Sequence, residues 1–449
     1  MALDLRGELA ATARLGLPLA LGELGWMSTY IVDALLVGRL ADSASAIAAS
    51  SLGNTIFYAL AFFVISALNG LETRIAQAFG RGAKQECVRL LVQGFWIVVV
   101  GTPLVIASTL GAVRLLPHLG TPDAITVETG RYLRALVWST PPLMAYMVLR
   151  RWLQSINRVA LVTVSLVTAS LVNLVADWAF LFGHLGIPAM GVAGSAWATC
   201  VVRVYMLLML VLGAAHAFSA DGLRLEARML APSGSRLKSL LGLGWPSAVE
   251  SVTELGVSTC LSLLCARLGT VLLAAHQVVL DLSAFAYQAP AGLSYATVAR
   301  VGQSAGRKSE AQVQRATNAS LWLGLGYAVV TASVLAALSR PLAAFYTNST
   351  DVVTDAAPIL ALCAISLISD TLFVIIASAL TGVGDTRTPM VVSLIWSWGI
   401  GMPMAYMLAF RLGHGLSGLW FGRVVGSVGA GLTLLACWRR RLTRAGRIV

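Results

Sequence analysis

PLALGELGWMSTYIVDALLVGRL at residues 18–40 and PSAVESVTELGVSTCLSLLCARL at residues 246–268 follow one plan. Each opens on proline, runs through about twenty mostly apolar positions with an acid inside the run, and closes on Arg-Leu, at an offset of 228 residues. A run of that size matches the ~30 Å hydrocarbon thickness of a bilayer at 1.5 Å per helical residue. After a two-residue shortening the correspondence continues: Ala48-Ala49 meets Ala274-Ala275, Gln77 meets Gln303, and Gly80-Arg81 meets Gly306-Arg307. The spacing predicts two homologous halves, 1–218 and 236–449, joined by a polar linker, 219–235, with Asp-Gly and Pro-Ser-Gly turn signals. Both copies start on the same side of the membrane, so the repeat is parallel, as in secondary transporters whose sites lie near the midplane. A duplicated structural or enzymatic membrane protein is the alternative.

Composition agrees with a chain whose main solvent is lipid. Of 449 residues 57% are hydrophobic and only 12% charged, with mean hydropathy +0.80. These values exclude an ordinary soluble globular protein. Apolar runs predict twelve spans at about 15–37, 46–69, 90–113, 132–152, 159–182, 190–213, 239–265, 271–296, 315–338, 355–379, 388–410 and 416–437. The expected fold is therefore an all-α integral membrane protein, with helices 1–6 forming an N-lobe bundle and helices 7–12 a pseudo-symmetric C-lobe bundle.

The net charge of +12 sits in loops rather than in a basic patch interleaved with aromatics, so no nucleic acid is expected as a partner. With these spans 23 of the 32 basic residues fall on one side, among them Arg81, Lys84, Arg150, Arg151, Arg158 and the tail Arg439, Arg440, Arg441, Arg444 and Arg447. The positive-inside rule then places both termini in the cytoplasm. The N-terminus runs into a full-length span without the short apolar region and cleavage site of a signal peptide. Six cysteines show no CxxC pair and read as small packing residues. The segments 72–89 and 300–315 are polar with apolar residues at helical spacing, which predicts a short interfacial helix in each half.

Acids inside spans are expensive, about 2.5–3.5 kcal/mol each at a helix centre, and are functional candidates by default. They are Glu23, Asp33, Asp177, Glu250, Glu254, Asp281 and Asp370, with Asn54, Asn69 and Asn173 as neutral companions. Asn173 and Asp177 lie four apart and share a helix face, and so do Glu250 and Glu254. Two carboxylates one turn apart in a low-dielectric site hold a proton until a cation arrives. Competition of proton, metal ion and organic cation for one carboxylate set is what an antiporter needs; polar groups that merely fix helix packing are the plainer alternative. Arg203 and Arg423, also within spans, read as counter-ions. Pro18 lies about four turns before Asp33 on one helix, where a bend would couple to whatever Asp33 binds. The five histidines show no HExxH or similar metal spacing.

In order along the chain, Val32-Asp33 with Val37-Gly38-Arg39, Ala76-Gln77-Ala78-Phe79-Gly80, Asn173 with Gly191-Val192-Ala193-Gly194, Ala274-Ala275-His276-Gln277, Arg300-Val301-Gly302-Gln303 and Gly382-Val383-Gly384-Asp385-Thr386-Arg387-Thr388-Pro389 resemble the multidrug and toxic compound extrusion (MATE) family. The likeness covers nearly the whole chain and is nearest the NorM-type branch, whose three acids match Asp33, Glu254 and Asp370. The Asn173–Asp177 pair, with Asp33 and Pro18, is instead similar to the N-lobe site of the DinF-type branch. One departure is Ser366, where NorM-type proteins place an aromatic hydroxyl one turn before the tenth-helix acid.

The resemblance implies two six-helix bundles around a cleft, and export of bulky organic cations by Na⁺ or H⁺ antiport with alternating access. It implies cation or proton coupling at Asp33, Asp177, Asn173, Glu254 and Asp370, and substrate contacts at Glu250, Tyr30, Trp178 and Tyr287. Aromatic faces gain roughly 0.5–2 kcal/mol per cation contact with little demand on shape. Expected partners are small organic cations and the lipid bilayer of a bacterial inner membrane, the working unit a monomer, with no cofactor and no resident metal beyond the coupling ion. A lipid-linked oligosaccharide flippase of the same superfamily is the alternative, and needs basic residues to meet pyrophosphate. An integral-membrane prenyl- or acyltransferase needs a DDxxD pair or an HxxxxD motif at a membrane face, and neither is found on this reading, so no enzymatic activity is expected.

Overall fold

The computed structural model describes residues 5–40, 43–119, 122–347 and 349–443. Arg444 and Arg447 of the predicted basic tail lie outside the described residues. Every regular element among these is helical: α1 (Leu5–Val37), α2 (Ser43–Ala67), α3 (Asn69–Gly80), α4 (Lys84–Leu115), α5 (Asp123–Leu136), α6 (Thr140–Ser155), α7 (Ala160–Phe182), α8 (Val192–Ala220), α9 (Gly234–Ala266), α10 (Thr270–Gly306), α11 (Glu310–Ala337), α12 (Ser339–Tyr346), α13 (Thr350–Val383), α14 (Arg387–Ser393), α15 (Met402–Tyr406) and α16 (Gly415–Thr443). Lipid cannot satisfy free amides and carbonyls, which is why apolar runs of this length settle as helices.

Eleven helical stretches among the described residues are long and apolar enough to cross a membrane. The twelfth expected span, 132–152, is the one that is broken: α5 and α6 are joined by a 3₁₀ turn at Val137–Ser139. Pro141 and Pro142 have no amide to give to carbonyls one turn earlier, so the helix restarts there with proline in its first turn.

The repeat seen in sequence is repeated in hydrogen bonds. Arg39 and Leu40 amides donate to Leu36 O and Val37 O at 3.0 and 3.1 Å, and their counterparts Arg267 and Leu268 donate to Leu264 O and Cys265 O at 3.2 and 2.9 Å. Arg81 N–Gln77 O, 3.2 Å, has its twin in Arg307 N–Gln303 O, 3.1 Å. The turn residues Gly82 and Lys308 both take positive φ, at 75° and 56°. α1 and α9 each have 33 residues, with Pro18 and Pro246 at matching places.

The predicted interfacial helices do not form a matching exposed pair: the first is the short, largely buried helix α3, and the second is not a separate element. Residues 72–80 belong to α3, most of which is buried, and 300–306 are the end of α10; Arg81–Ala83 and Arg307–Ser309 separate these helices from the ones that follow. The polar residues that suggested an interface are consumed internally. Glu72 Oε2 accepts from Arg151 at 3.0 Å with both side chains buried, and Glu8 pairs with Arg300. Arg150, counted among the loop charges, is likewise buried against Glu23.

The chain forms two compact units, each described here by itself. One comprises residues up to Ala20 together with Val249 onward; the other is Leu21–Ala248. Both boundaries fall two residues beyond the aligned prolines Pro18 and Pro246. Within the second unit the linker lies down on α4: Gln93 Nε2 donates to Ala231 O at 3.1 Å and Trp96 Nε1 to Leu230 O at 2.8 Å.

Within the first unit α16 packs closely on the stretch α14–α15. Gly418, Gly422 and Gly426 recur every four residues on one face, and a Cβ at Gly422 would stand 2.3 Å from Ala405 N. That opposing stretch is wound as π-helix at Leu394–Gly401 and Met407–Arg411. Pro403 cannot bond the carbonyl four residues before it, and the ladder loosens around it.

Candidate functional site

Three of the expected coupling residues converge in the Leu21–Ala248 unit. Asp33 near the end of α1 meets Asn173 and Asp177 on α7. Asn173 Nδ2 donates to Asp33 Oδ1 at 2.5 Å and to Asp177 Oδ2 at 2.7 Å. Asn173 and Asp177 are fully buried, and Asn173 Oδ1 and Asp177 Oδ1 have no hydrogen-bond partner. The two carboxyl groups are bridged by that single amide nitrogen. No basic side chain forms an ion pair with either carboxylate among the described residues. Two acids sharing one amide donor in a low-dielectric setting require a proton or a cation between them.

Arg203 on α8 is a buried cation of this unit, as Arg150 and Arg151 are, but it is held by neutral groups. It donates to Ser139 Oγ and, at 3.1 Å, to Tyr58 Oη, and its guanidinium lies 4.9 Å from the Phe57 ring centre. Asp33 feels it electrostatically without being bound by it. Asn54 accepts from Tyr132 Oη at 3.0 Å rather than joining the acids, and Asn69 starts α3. Pro18 sits inside α1 on the same helix as Asp33.

Glu250, Glu254 and Asp370 come together in the other unit. They line a cavity of about 320 Å³ with Tyr287, Arg423, Ser427 and Trp420. Glu250 and Glu254 lie one turn apart on α9, as their spacing requires. Asp370 on α13 accepts from Ser427 Oγ and, at 3.5 Å, from Arg423 Nη2. Arg423 Nη1 donates to Ser366 Oγ at 3.3 Å. The small Ser366, where an aromatic hydroxyl was the family expectation, receives the guanidinium instead. Three carboxylates against one arginine leave this cavity acidic.

The remaining expected contacts are dispersed. Tyr287 lines the cavity, Tyr30 is exposed, and Trp178 stacks on His184 at 4.0 Å between ring centres. Glu23 is engaged by Arg150. Asp281 accepts from Gln277 Nε2 at 2.9 Å and from Tyr346 Oη. The His-x₄-Asp spacing does occur three times, at His118/Asp123, His216/Asp221 and His276/Asp281. In the third, His276 is hydrogen-bonded to Ser262 and Trp420, away from an Asp281 that has other partners; in the second, Asp221 is taken by Arg158 and Lys84; and the first lies on exposed surface. No group of three or more His, Cys, Asp or Glu poised for a metal occurs among the described residues.

Ser427 and the Glu72–Arg151 pair were not anticipated. Ser427 carries no signal alone, but the Gly418-x₃-Gly422-x₃-Gly426 pattern marks α16 as a close-packed helix, and Arg423 and Ser427 each follow one of those glycines.

Outside the membrane spans, Asp221 at the start of the linker accepts from Arg158 at 3.0 Å and Lys84 at 3.3 Å. Slight burial opposes ionisation, but these two bonds and charges outweigh it and hold the carboxyl below its ordinary range.

Comparison with known proteins bears on what such a pair of acidic sites belongs to. The sequence profile named MatE matches residues 18–179 and again 246–407, the same 228-residue offset. A probable multidrug resistance protein NorM of Rhizobium meliloti (strain 1021) is 30% identical over 434 residues, covering 96% of this chain and 92% of its own. The multidrug resistance protein PmpM of Pseudomonas aeruginosa is 30% identical over 456 residues, covering 99% and 93%. Among solved structures, a MATE transporter of Vibrio cholerae superposes with a TM-score of 0.89 over 99% of both chains at 20% identity. The eukaryotic MATE transporter AtDTX14 gives 0.87 at 19% identity over 99% of this chain and 100% of that one.

Proposed function

The chain belongs to the MatE family, and from that premise we propose that it exports organic cations from a bacterial cell by Na⁺ or H⁺ antiport. The observation that carries this reading is the buried trio Asp33–Asn173–Asp177, two carboxylates on one amide with Asn173 Oδ1 and Asp177 Oδ1 left without partners. A proton or a sodium ion satisfies that arrangement, and so does the head of an organic cation. Since only one of them is accommodated at a time, loading the ion expels the drug.

The acidic cavity at Glu250, Glu254 and Asp370 supplies a second carboxylate set of the same kind. Here Arg423 lies against Asp370 and compensates part of the charge, so ion and substrate compete at a site that already holds one cationic group. Two lobes, 1–218 and 236–449, joined by the linker 219–235, are the bodies that alternate between outward and inward openings. The basic side faces the cytoplasm and carries both termini, the protein acts as a monomer in the inner membrane, and the ion gradient supplies direction at about 2.3 kcal/mol per charge per 100 mV. Glu250, Tyr287, Tyr30 and Trp178 are assigned to substrate, with the aromatic faces gaining cation–π attraction.

The test is ethidium efflux from proteoliposomes under imposed sodium or pH gradients, comparing wild type with Asp33→Asn and Asp370→Asn. Dye movement under one gradient that is lost in folded acid variants supports the reading and names the ion. If no gradient moves any dye, drug export is wrong, and movement of labelled lipid-linked sugars becomes the decisive assay for the flippase alternative.

A further inference from the structure

His276 is fully buried on α10, in a motif for which the transport reading has no use, yet its hydrogen bonds are fully specified. The indole of Trp420 is a donor only, and its Nε1 lies 3.1 Å from His276 Nδ1, so Nδ1 must accept. The ring is therefore neutral with its proton on Nε2, which faces Ser262 Oγ at 3.0 Å. Ser262 Oγ in turn donates to Ser258 O at 3.1 Å, which leaves it free to accept from the imidazole. Direction is thus fixed at every link. A protonated imidazole would have no lone pair for Trp420.

Trp420 is the link to the acidic cavity. It is 1% exposed, and its ring lies 5.3 Å from the Arg423 guanidinium carbon. Arg423 spans from Ser366 to Asp370. A tryptophan has two side-chain torsions, and a hydrogen bond at its Nε1 pins the ring plane that a cation–π contact needs.

We propose that His276 is a positioning residue which, through Trp420, holds Arg423 against Asp370 and so sets how tightly that carboxylate takes its coupling cation. The proposal rests on the reading of Asp370 as a coupling acid. With Arg423 pinned, the carboxylate is partly compensated and its cation affinity moderate. With Arg423 released, positive charge leaves Asp370, Glu254 and Glu250, and cation affinity rises. Tyr287 and Cys363 are the other titratable groups lining the same cavity.

The variants separate the hydrogen bond from the bulk of the ring. In His276→Asn the amide oxygen replaces Nδ1 as acceptor, whereas His276→Leu offers none; Trp420→Phe keeps an aromatic face and removes the donor. Full-length protein in proteoliposomes is assayed for the half-saturating concentration of the ion that drives efflux. His276→Leu and Trp420→Phe are each expected to lower it by about three- to tenfold, a fraction of the shift an adjacent arginine exerts on a carboxylate. The double variant should match either single one, and His276→Asn should stay near wild type.

An unchanged half-saturation in folded His276→Leu and Trp420→Phe, or an Asn variant indistinguishable from Leu, overturns the proposal. Should His276→Leu fail to fold, Trp420→Phe alone decides. The position of the Trp420 indole N–H band, isolated as a resonance Raman difference against Trp420→Phe, reports on the bond without any transport. It should weaken in His276→Leu and persist in His276→Asn. If Asp370→Asn leaves ion dependence untouched, it is the coupling role of Asp370 that fails, whatever the band shows.

Discussion

Asp33 on α1 and Asn173 on α7, 140 positions apart in the chain, meet at 2.5 Å, and the same amide nitrogen serves Asp177 at 2.7 Å. One donor shared by two acids makes Asn173 the hinge of the buried cluster. Replacing it by the near-isosteric leucine removes a hydrogen bond to charge worth about 1.5–3 kcal/mol. Asn173→Leu is expected to reduce gradient-driven dye efflux by about ten- to a hundredfold at unchanged expression. Efflux within twofold of wild type would mean the two acids do not depend on the amide.

The Glu72–Arg151 bond is a different kind of polar contact, structural rather than exchangeable. Both side chains are under a tenth exposed, and Arg151 also reaches Ile65 O at 3.3 Å. Removing one member of such a pair leaves an uncompensated charge in the interior, at a cost of about 3–5 kcal/mol. Arg151→Met should lower the thermal midpoint in detergent strongly, and adding Glu72→Gln should recover much of the loss. A double variant no better than the single one would show that the charge pairing is not what stabilises this corner.

How far the sequence alone reached can be judged residue by residue. The repeat, the all-helical spans and the pairing of Asn173 with Asp177 follow from periodicity, because a bilayer forces helices and helices put residues four apart on one face; the meeting of Asp33 with that pair rested on family likeness. The meeting of Glu254 with Asp370 rested on family likeness, since nothing local connects 254 to 370. The broken span at Val137–Ser139 was written in Pro141-Pro142 but outweighed by hydropathy, which does not see hydrogen bonding. Glu72, Arg150 and Arg151 were misplaced for a related reason: a charge near a span end reads as solvated unless its partner, here far away in sequence, is known. The tautomer of His276 needed three-dimensional neighbours on both ring nitrogens.

The glycine face of α16 was legible in the sequence and passed over. A side chain at Gly422 would collide with Ala405 backbone at 2.3 and 2.5 Å, whereas Gly111 on α4 has nothing within 4 Å of an added Cβ. Gly422→Leu is expected to push α16 away from the stretch carrying Pro403 and to displace the neighbouring Arg423, lowering both thermal midpoint and efflux. Gly111→Ala, in a helix with open space, should be neutral or stabilising by up to about 1 kcal/mol. Equal effects of the two changes would show that close helix approach at Gly422 is not required.

The linker gives the one pH prediction outside the membrane. Asp221 is held below its ordinary value of 3.8, with slight burial overcome by Arg158 and Lys84. A carboxyl whose folded value is depressed contributes its stabilisation above the ordinary value and loses it as pH falls through the lowered one. The contact that fastens Asp221 to Lys84 on α4 and to Arg158 therefore holds throughout the neutral range and opens only in acid below about pH 4. Its strength is modest, because the side chain of Asp221 is 21% exposed and its two partners more so. Asp221→Asn imitates the acid state at neutral pH while keeping the shape. Exposed Arg224 and Arg228 follow within the linker, so tryptic cleavage there should speed up several-fold in the variant, while backbone hydrogen exchange of 219–226 in wild type should rise only below about pH 4. Cleavage that is unaltered by Asp221→Asn would place the restraint on the linker in the Gln93 and Trp96 bonds to residues 230–233 instead.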